Sequence, residues 1–190
     1  MECFISFNAG TGLINRYRIC IVPVLTATLL FIAGCGGGTG SINWVDHTSK
    51  EGNFSAVFPQ EATEKQEGPG ITVIASSPSE GGSYTVTVQD IEEFDKGKTP
   101  KKIMEDYLKS QGAFMTVTNV ESTTAADYPA TRFKLVDKKD PDIASDSSMM
   151  IIAEGKQYMM SVVTAPDSHS EDNVKKFFDS FQVLEKQNTQ

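Results

Sequence analysis

His47 and His169 are the only imidazoles in the chain, so any acid–base or nucleophilic chemistry by histidine falls to them. A hydrolytic triad needs a hydroxyl or thiol beside such a base, with a third group to orient it. His47 follows Trp44 in a polar stretch. His169 precedes an amphipathic segment, where the positive end of a helix dipole disfavours an imidazolium. Neither stands in a catalytic motif, and the His-Glu-x-x-His spacing of a hydrolytic zinc site is absent. Both read as surface or capping-turn residues.

Carboxylates are plentiful but scattered. The stretches Asp90 to Asp95 and Asp137 to Asp142, with Asp146 beyond, offer oxygen donors, yet the second lacks the register of a calcium hand and carries Lys138 and Lys139, which repel a cation. These read as solvated acidic loops. Met149, Met150, Met159 and Met160 could present soft sulfur to copper. In strands, neighbours point to opposite faces, so only one methionine of each pair can share a face with one of the other pair. Core filling is the expected role. No catalytic residue, metal ligand or cofactor site is assigned, and the chain is expected not to be an enzyme.

The first 34 residues differ from the rest. Arg16 and Arg18 precede an apolar run from Ile19 to Ile32, followed by the small residues Ala33 and Gly34. Charge, apolar core and small-residue cleavage site, in that order, form a secretory signal. The run is about 15 residues long where a helical span takes roughly 20, so a cleaved leader is expected rather than a permanent anchor. Ile32-Ala33-Gly34-Cys35 resembles the lipobox of bacterial lipoproteins, with isoleucine in place of the more usual leucine. That resemblance implies that Cys35 becomes a diacylated N-terminus, and two acyl chains anchor stably where one holds only marginally. The remaining cysteines, Cys3 and Cys20, fall within the leader. No disulfide is then available to the exported chain.

Gly36 to Ser41 reads as a flexible tether, with residues 35–43 forming the lipidated cysteine and linker, 44–184 one domain, and 185–190 a polar tail. The glycine run lacks the preceding strand and the Lys-Ser/Thr pair of a phosphate loop. With 17 basic against 25 acidic side chains the chain carries a formal charge of −8, which argues against nucleic acid as a partner.

Segments rich in β-branched and aromatic residues predict strands over Asn53 to Phe58, Ile71 to Ser77, Ser83 to Ile91, Ala113 to Thr123, Ala130 to Val136, Ser148 to Glu154 and Gln157 to Thr164. Tyr84, Val86 and Val88 alternate with Thr85, Thr87 and Gln89, the pattern of a half-buried strand. Gly81-Gly82 and Gly155-Lys156 are expected at hairpin turns, giving a mostly antiparallel sheet. Thr99 caps a helix opening at Pro100 and ending at Gly112. Ser168 and Glu171 have capping-box spacing ahead of Val174, Phe177, Phe178 and Phe181, whose stripe needs a sheet to cover.

Phe54-Ser55-Ala56-Val57-Phe58-Pro59, Tyr128-Pro129-Ala130 and Phe177-Phe178-Asp179-Ser180-Phe181, in this order, resemble the PsbP/DcrB-like family over about Trp44 to Leu184. The resemblance implies an α+β fold, a mostly antiparallel sheet flanked by helices in an α/β/α sandwich. It also implies a non-catalytic role. The expectation is therefore a lipid-anchored accessory or docking protein on the extracytoplasmic face of the cell membrane or outer membrane, with an envelope protein as partner. A ligand-binding lipoprotein serving a transporter, or a hydrolase with an unrecognised site, are the alternatives. Trp44 is expected to staple the tether to the domain, and the loops Glu92 to Lys98 and Asp137 to Ser147 to present the contact surface.

Overall fold

The computed structural model describes residues 42–68, 70–77, 80–92, 95–139, 145–165 and 168–184. The leader, Cys35, the glycine tether, the polar tail, and residues Glu93, Phe94 and Asp140 to Asp142 of the acidic loops lie outside them.

The alternation around Tyr84 sets the architecture. In β5 (Gly82–Asp90) Tyr84, Val86 and Val88 are buried on one face while Thr85, Thr87 and Gln89 occupy the other. Six more strands flank it: β3 (Thr63–Glu67), β4 (Gly70–Ser77), β6 (Met115–Ala125), β7 (Tyr128–Asp137), β8 (Ser145–Ala153) and β9 (Lys156–Thr164). Together they form an antiparallel sheet in the order β3-β4-β5-β9-β8-β7-β6. A smaller antiparallel sheet joins β1 (Val45–Ser49), β2 (Phe54–Phe58) and β10 (Gln182–Val183), with β2 at its centre.

Each face of the large sheet has its own apolar layer. Helix α2 (Glu171–Asp179) and β2 cover one, where Phe54, Phe58, Phe177, Phe178 and Phe181 pack on Val73, Tyr84, Met149, Tyr158 and Met160. Helix α1 (Pro100–Gln111) covers part of the other, where Ile103 and Met104 meet Phe133, Met150 and Ile152. The fold is the expected α+β sandwich. Neither helix is long and apolar enough to cross a membrane.

Local chemistry explains most boundaries. Thr99 caps α1 by accepting from the Lys102 amide, and Pro100 occupies the first turn, where its missing N–H costs nothing. The Gly112 amide donates to the Leu108 carbonyl, but with φ at −58° the glycine's left-handed freedom is unused. Two expectations are corrected. Ser170, not Ser168, caps α2 by accepting from the Asn173 amide, and Phe181 lies beyond the Ser180 cap while still buried. The turn between β8 and β9 is Glu154-Gly155, one residue earlier than Gly155-Lys156; both residues have positive φ, 51° and 75°.

The β6–β7 turn makes the same bend without glycine. Ala126 and Asp127 sit at φ 47° and 65°, a conformation that an L side chain resists. Replacing this pair with Asn-Gly, the preferred chemistry for such a two-residue turn, is expected to raise the unfolding free energy by about 1 kcal/mol. A urea midpoint that stays put or falls would show that the turn is not strained.

Candidate functional site

The structure pairs each histidine with a carboxylate. On β1, His47 Nε2 lies 3.3 Å from Glu64 Oε2, and its ring stands edge-on to Phe58. Ahead of α2, His169 Nδ1 is 3.1 Å from Thr164 Oγ1, and its Nε2 lies 3.3 Å from Glu171 Oε1 without a directed hydrogen bond. Hydroxyl, imidazole and carboxylate in sequence carry the outline of a triad. Substrate cannot use it as it stands, because Thr164 is only 2% exposed. Glu171 is engaged elsewhere: Lys134 Nζ donates to it at 2.8 Å, which holds its carboxyl below the usual range.

The methionine pairs separate as strand geometry requires. Met149 lies opposite Met160 on the α2 face, and Met150 opposite Met159 on the α1 face. Met149, Met150 and Met160 are fully buried, so they fill the core. Among the described residues no group of three or more histidine, cysteine or acidic side chains is placed to hold a metal. Trp44 packs on the core, edge-on to Tyr84 at 5.8 Å, with Lys176 Nζ 4.7 Å from its ring centre.

Two carboxylates have the most unusual surroundings: Glu80, which the sequence did not mark, and Asp146, which it offered as an oxygen donor in an acidic loop. Glu80, in the β4–β5 turn, is 5% exposed. Its carboxylate accepts from Ser77 Oγ and Tyr84 OH at 2.7 Å each and from Asn173 Nδ2 at 2.9 Å. The turn is thereby tied to β5 and α2, and burial together with the bond to Glu80 drives the Tyr84 hydroxyl far above its ordinary pKa. Asp146 lies on β8 on the α1 side, accepting from Ser148 Oγ at 2.9 Å, while Ser148 is also 3.0 Å from Ser161 Oγ. Burial pushes the Asp146 carboxyl up to about 6, against a smaller lowering by Ser148. Tyr107 of α1 is raised to about 12, first by its own burial and then by the charge on Asp146.

The described residues also line two surface depressions. One, about 200 Å³, is lined by Thr124, Ala126, Arg132, Phe178, Asp179 and Gln182, among others. Arg132 donates to Asp179 at 3.0 Å there and lies over the Phe178 ring. The other, about 310 Å³, has an apolar floor of Ile91, Ile103 and Ile152 beside Asp95 and Lys98, which pair with each other at 2.6 Å. Neither includes a histidine, and neither joins Glu80 or Asp146.

Strand register places the two expected contact loops at opposite ends of the sheet. Asp90 lies opposite Lys156, at the β8–β9 turn, so the loop from Glu92 leaves that end of the sheet. Ser83 aligns with Val163, then Asp146, then Leu135, so the loop after Asp137 leaves the other end. Nine-residue strands hold these ends roughly 25–30 Å apart.

This arrangement defines an antiparallel α/β/α sandwich with helices on both faces of a central sheet. The fold is PsbP-like. It is similar to the solution structure of cyanobacterial PsbP (CyanoP) from Synechocystis sp. PCC 6803, with TM-score 0.50 and 16% identity over 80% of this chain and 99% of that one. A crystal structure from Bacteroides thetaiotaomicron VPI-5482 superposes with TM-score 0.51 and 10% identity, covering 74% of this chain and 48% of that one. No family model matches the sequence, and no curated protein matches it.

Both carboxylates lead to measurable outcomes. Glu80→Ala would strand the Ser77, Tyr84 and Asn173 donors, at an expected cost of about 2–4 kcal/mol by chemical denaturation. A loss below about 0.5 kcal/mol would show that water replaces the carboxylate. For Asp146 the folded pKa lies above the unfolded one, so the folded state binds the proton more tightly. Its contribution to stability is complete below about pH 4 and is lost as pH rises through about 6. Asp146→Asn should therefore be the more stable form at pH 7.5, by about 2 kcal/mol, and match the wild type near pH 4. Parallel stability–pH curves for the two would contradict this.

Proposed function

We propose that the chain is a lipid-anchored, non-catalytic docking protein on the extracytoplasmic face of the cell envelope, held through Cys35. The observation that carries the reading is a two-faced sandwich in which His47, Glu80 and Glu171 are each held by internal contacts, with loops and turns at the ends of the sheet left to meet a partner. A PsbP-like fold agrees with an accessory role by analogy. The leader and the Ile32-Ala33-Gly34-Cys35 segment support export and acylation.

Trp44 packs on Tyr84, close to the start of β5, so the chain enters the domain near the end that carries the β7–β8 loop. The opposite end of the sheet, which we take as the contact surface, carries Glu92 and the turns Ala126-Asp127 and Glu154-Gly155. Its partner is expected to be another envelope protein.

The test is a crosslinking pull-down from native membranes with the wild type, Cys35→Ala, and the charge reversals Glu92→Lys with Asp127→Lys. Expected is one stoichiometric protein that is lost with Cys35→Ala and with the Glu92 and Asp127 reversals but kept by Lys139→Glu at the other end. A partner indifferent to all three changes would refute this reading. A retained metabolite with no protein would instead favour ligand binding at the 310 Å³ depression beside Ile91 and Lys98.

A further inference from the structure

Sheet edges differ sharply in how they are protected. Strand β3 closes one side of the large sheet with five residues, Thr-Glu-Lys-Gln-Glu, whose charges deter a further strand. Strand β6 closes the other with eleven residues, Met115–Ala125, among which Glu121 is the single charge. Of the three large apolar residues exposed among those described, two belong to this edge: Val120, 54% exposed, and Phe114 just before the strand, 60% exposed. The backbone groups that β6 does not spend on β7 face outward, open to another strand.

We infer that β6 is a self-association edge, pairing antiparallel with β6 of a second copy about a two-fold axis through its bulge. The bulge lies between Thr118 and Glu121, where β6 holds one residue more than β7. Thr118 lies opposite Lys134 and Glu121 opposite Arg132, so residues on either side of the bulge share a face with opposite sequence parity. A regular strand must shift register at this point, as β7 does. A second β6 need not, because both strands carry the same extra residue at the axis.

Keeping like faces together then fixes a consistent set of partners. Thr118 falls opposite Glu121 of the second copy, Val117 opposite Ser122, Thr116 opposite Thr123, Met115 opposite Thr124 and Phe114 opposite Ala125. Hydroxyl meets hydroxyl, the one carboxylate meets a hydroxyl, and the exposed ring covers a small apolar residue. Asn119 and Val120 meet at the axis. On a chain with a formal charge of −8, most surfaces repel their own copies, and this edge brings no like charges together.

The test uses the detergent-solubilised full chain. Sedimentation equilibrium should show a reversible dimer, and Val120→Lys, which brings two lysines to the axis, should raise its dissociation constant at least about tenfold. Val120 is exposed, so circular dichroism and the melting temperature should be unchanged by that variant. With Cys3, Cys20 and Cys35 replaced by serine, Thr116→Cys with Thr123→Cys should crosslink between copies on oxidation, and either change alone should not. A wild type that stays monomeric at the highest concentration reached overturns the proposal. So does a dimer indifferent to Val120→Lys that fails to form the double-cysteine crosslink.

Discussion

The burial of one aromatic face of α2 governs the rest of the structure. Phe177 meets Phe58 and Tyr84 at ring-centre distances of 5.3 and 5.2 Å, and Phe181 stacks on Phe54 and meets Tyr158 at 5.7 and 5.2 Å. These rings belong to a helix end, two strands of the large sheet and the central strand of the small one. A helix of nine residues is marginal alone, so α2 exists because this layer holds it. Each ring buried there contributes roughly 2–3 kcal/mol by removing apolar surface from water, and edge-to-face pairs add a further fraction. The small sheet is too slight to stand alone and depends on the same rings through Phe54 and Phe58.

That aromatic layer determines where polar groups can survive. Glu80 and Asn173 sit at its margin, where the β4–β5 turn reaches α2, and their mutual bond is tolerable only because Ser77 and Tyr84 supply further donors. On the opposite face α1 provides thinner cover, with Ile103 and Met104 its buried residues. Asp146 lies beneath that thinner layer with Ser148 as its hydrogen-bond donor, and its raised pKa is the consequence. One carboxylate is bound into the fold by several donors. The other remains a cost that the α1 layer carries at neutral pH.

The strands legible in the sequence were those with an apolar alternation long enough to count: Tyr84, Val86 and Val88 in β5, and the runs in β2, β4 and β6 to β9. Three strands escaped. Strand β3 is almost wholly polar, β1 mixes Val45 with Asp46, His47 and Thr48, and β10 has two residues, so none carries a periodic signal; their partners β4 and β2 create them. Ser168 and Ser170 both suit a helix start, and only backbone geometry chose the second. Ala126-Asp127 gave no turn signature, because its positive φ values are imposed by the strands on either side. Glu80 was invisible for a related reason. A carboxylate in a Ser-Glu-Gly-Gly turn reads as solvated until a helix more than ninety residues later places Asn173 over it.

The same reasoning bears on function. Catalysis requires polar groups left under-used inside a cleft, where a substrate can complete them. In this chain Thr164 is buried behind His169, Glu171 is held by Lys134 and Glu80 already accepts three hydrogen bonds, whereas His169 Nε2 lacks a directed hydrogen bond and Asp146 accepts one from Ser148. The fold also leaves backbone and surface incomplete, namely the outer edge of β6, the exposed rings and methyls of Phe114 and Val120, and the turns at the ends of the sheet. Those are groups that another polypeptide satisfies better than a small molecule does, since a strand edge is completed by a strand. A sandwich stiffened by a buried aromatic layer presents such an edge at little cost in conformational entropy.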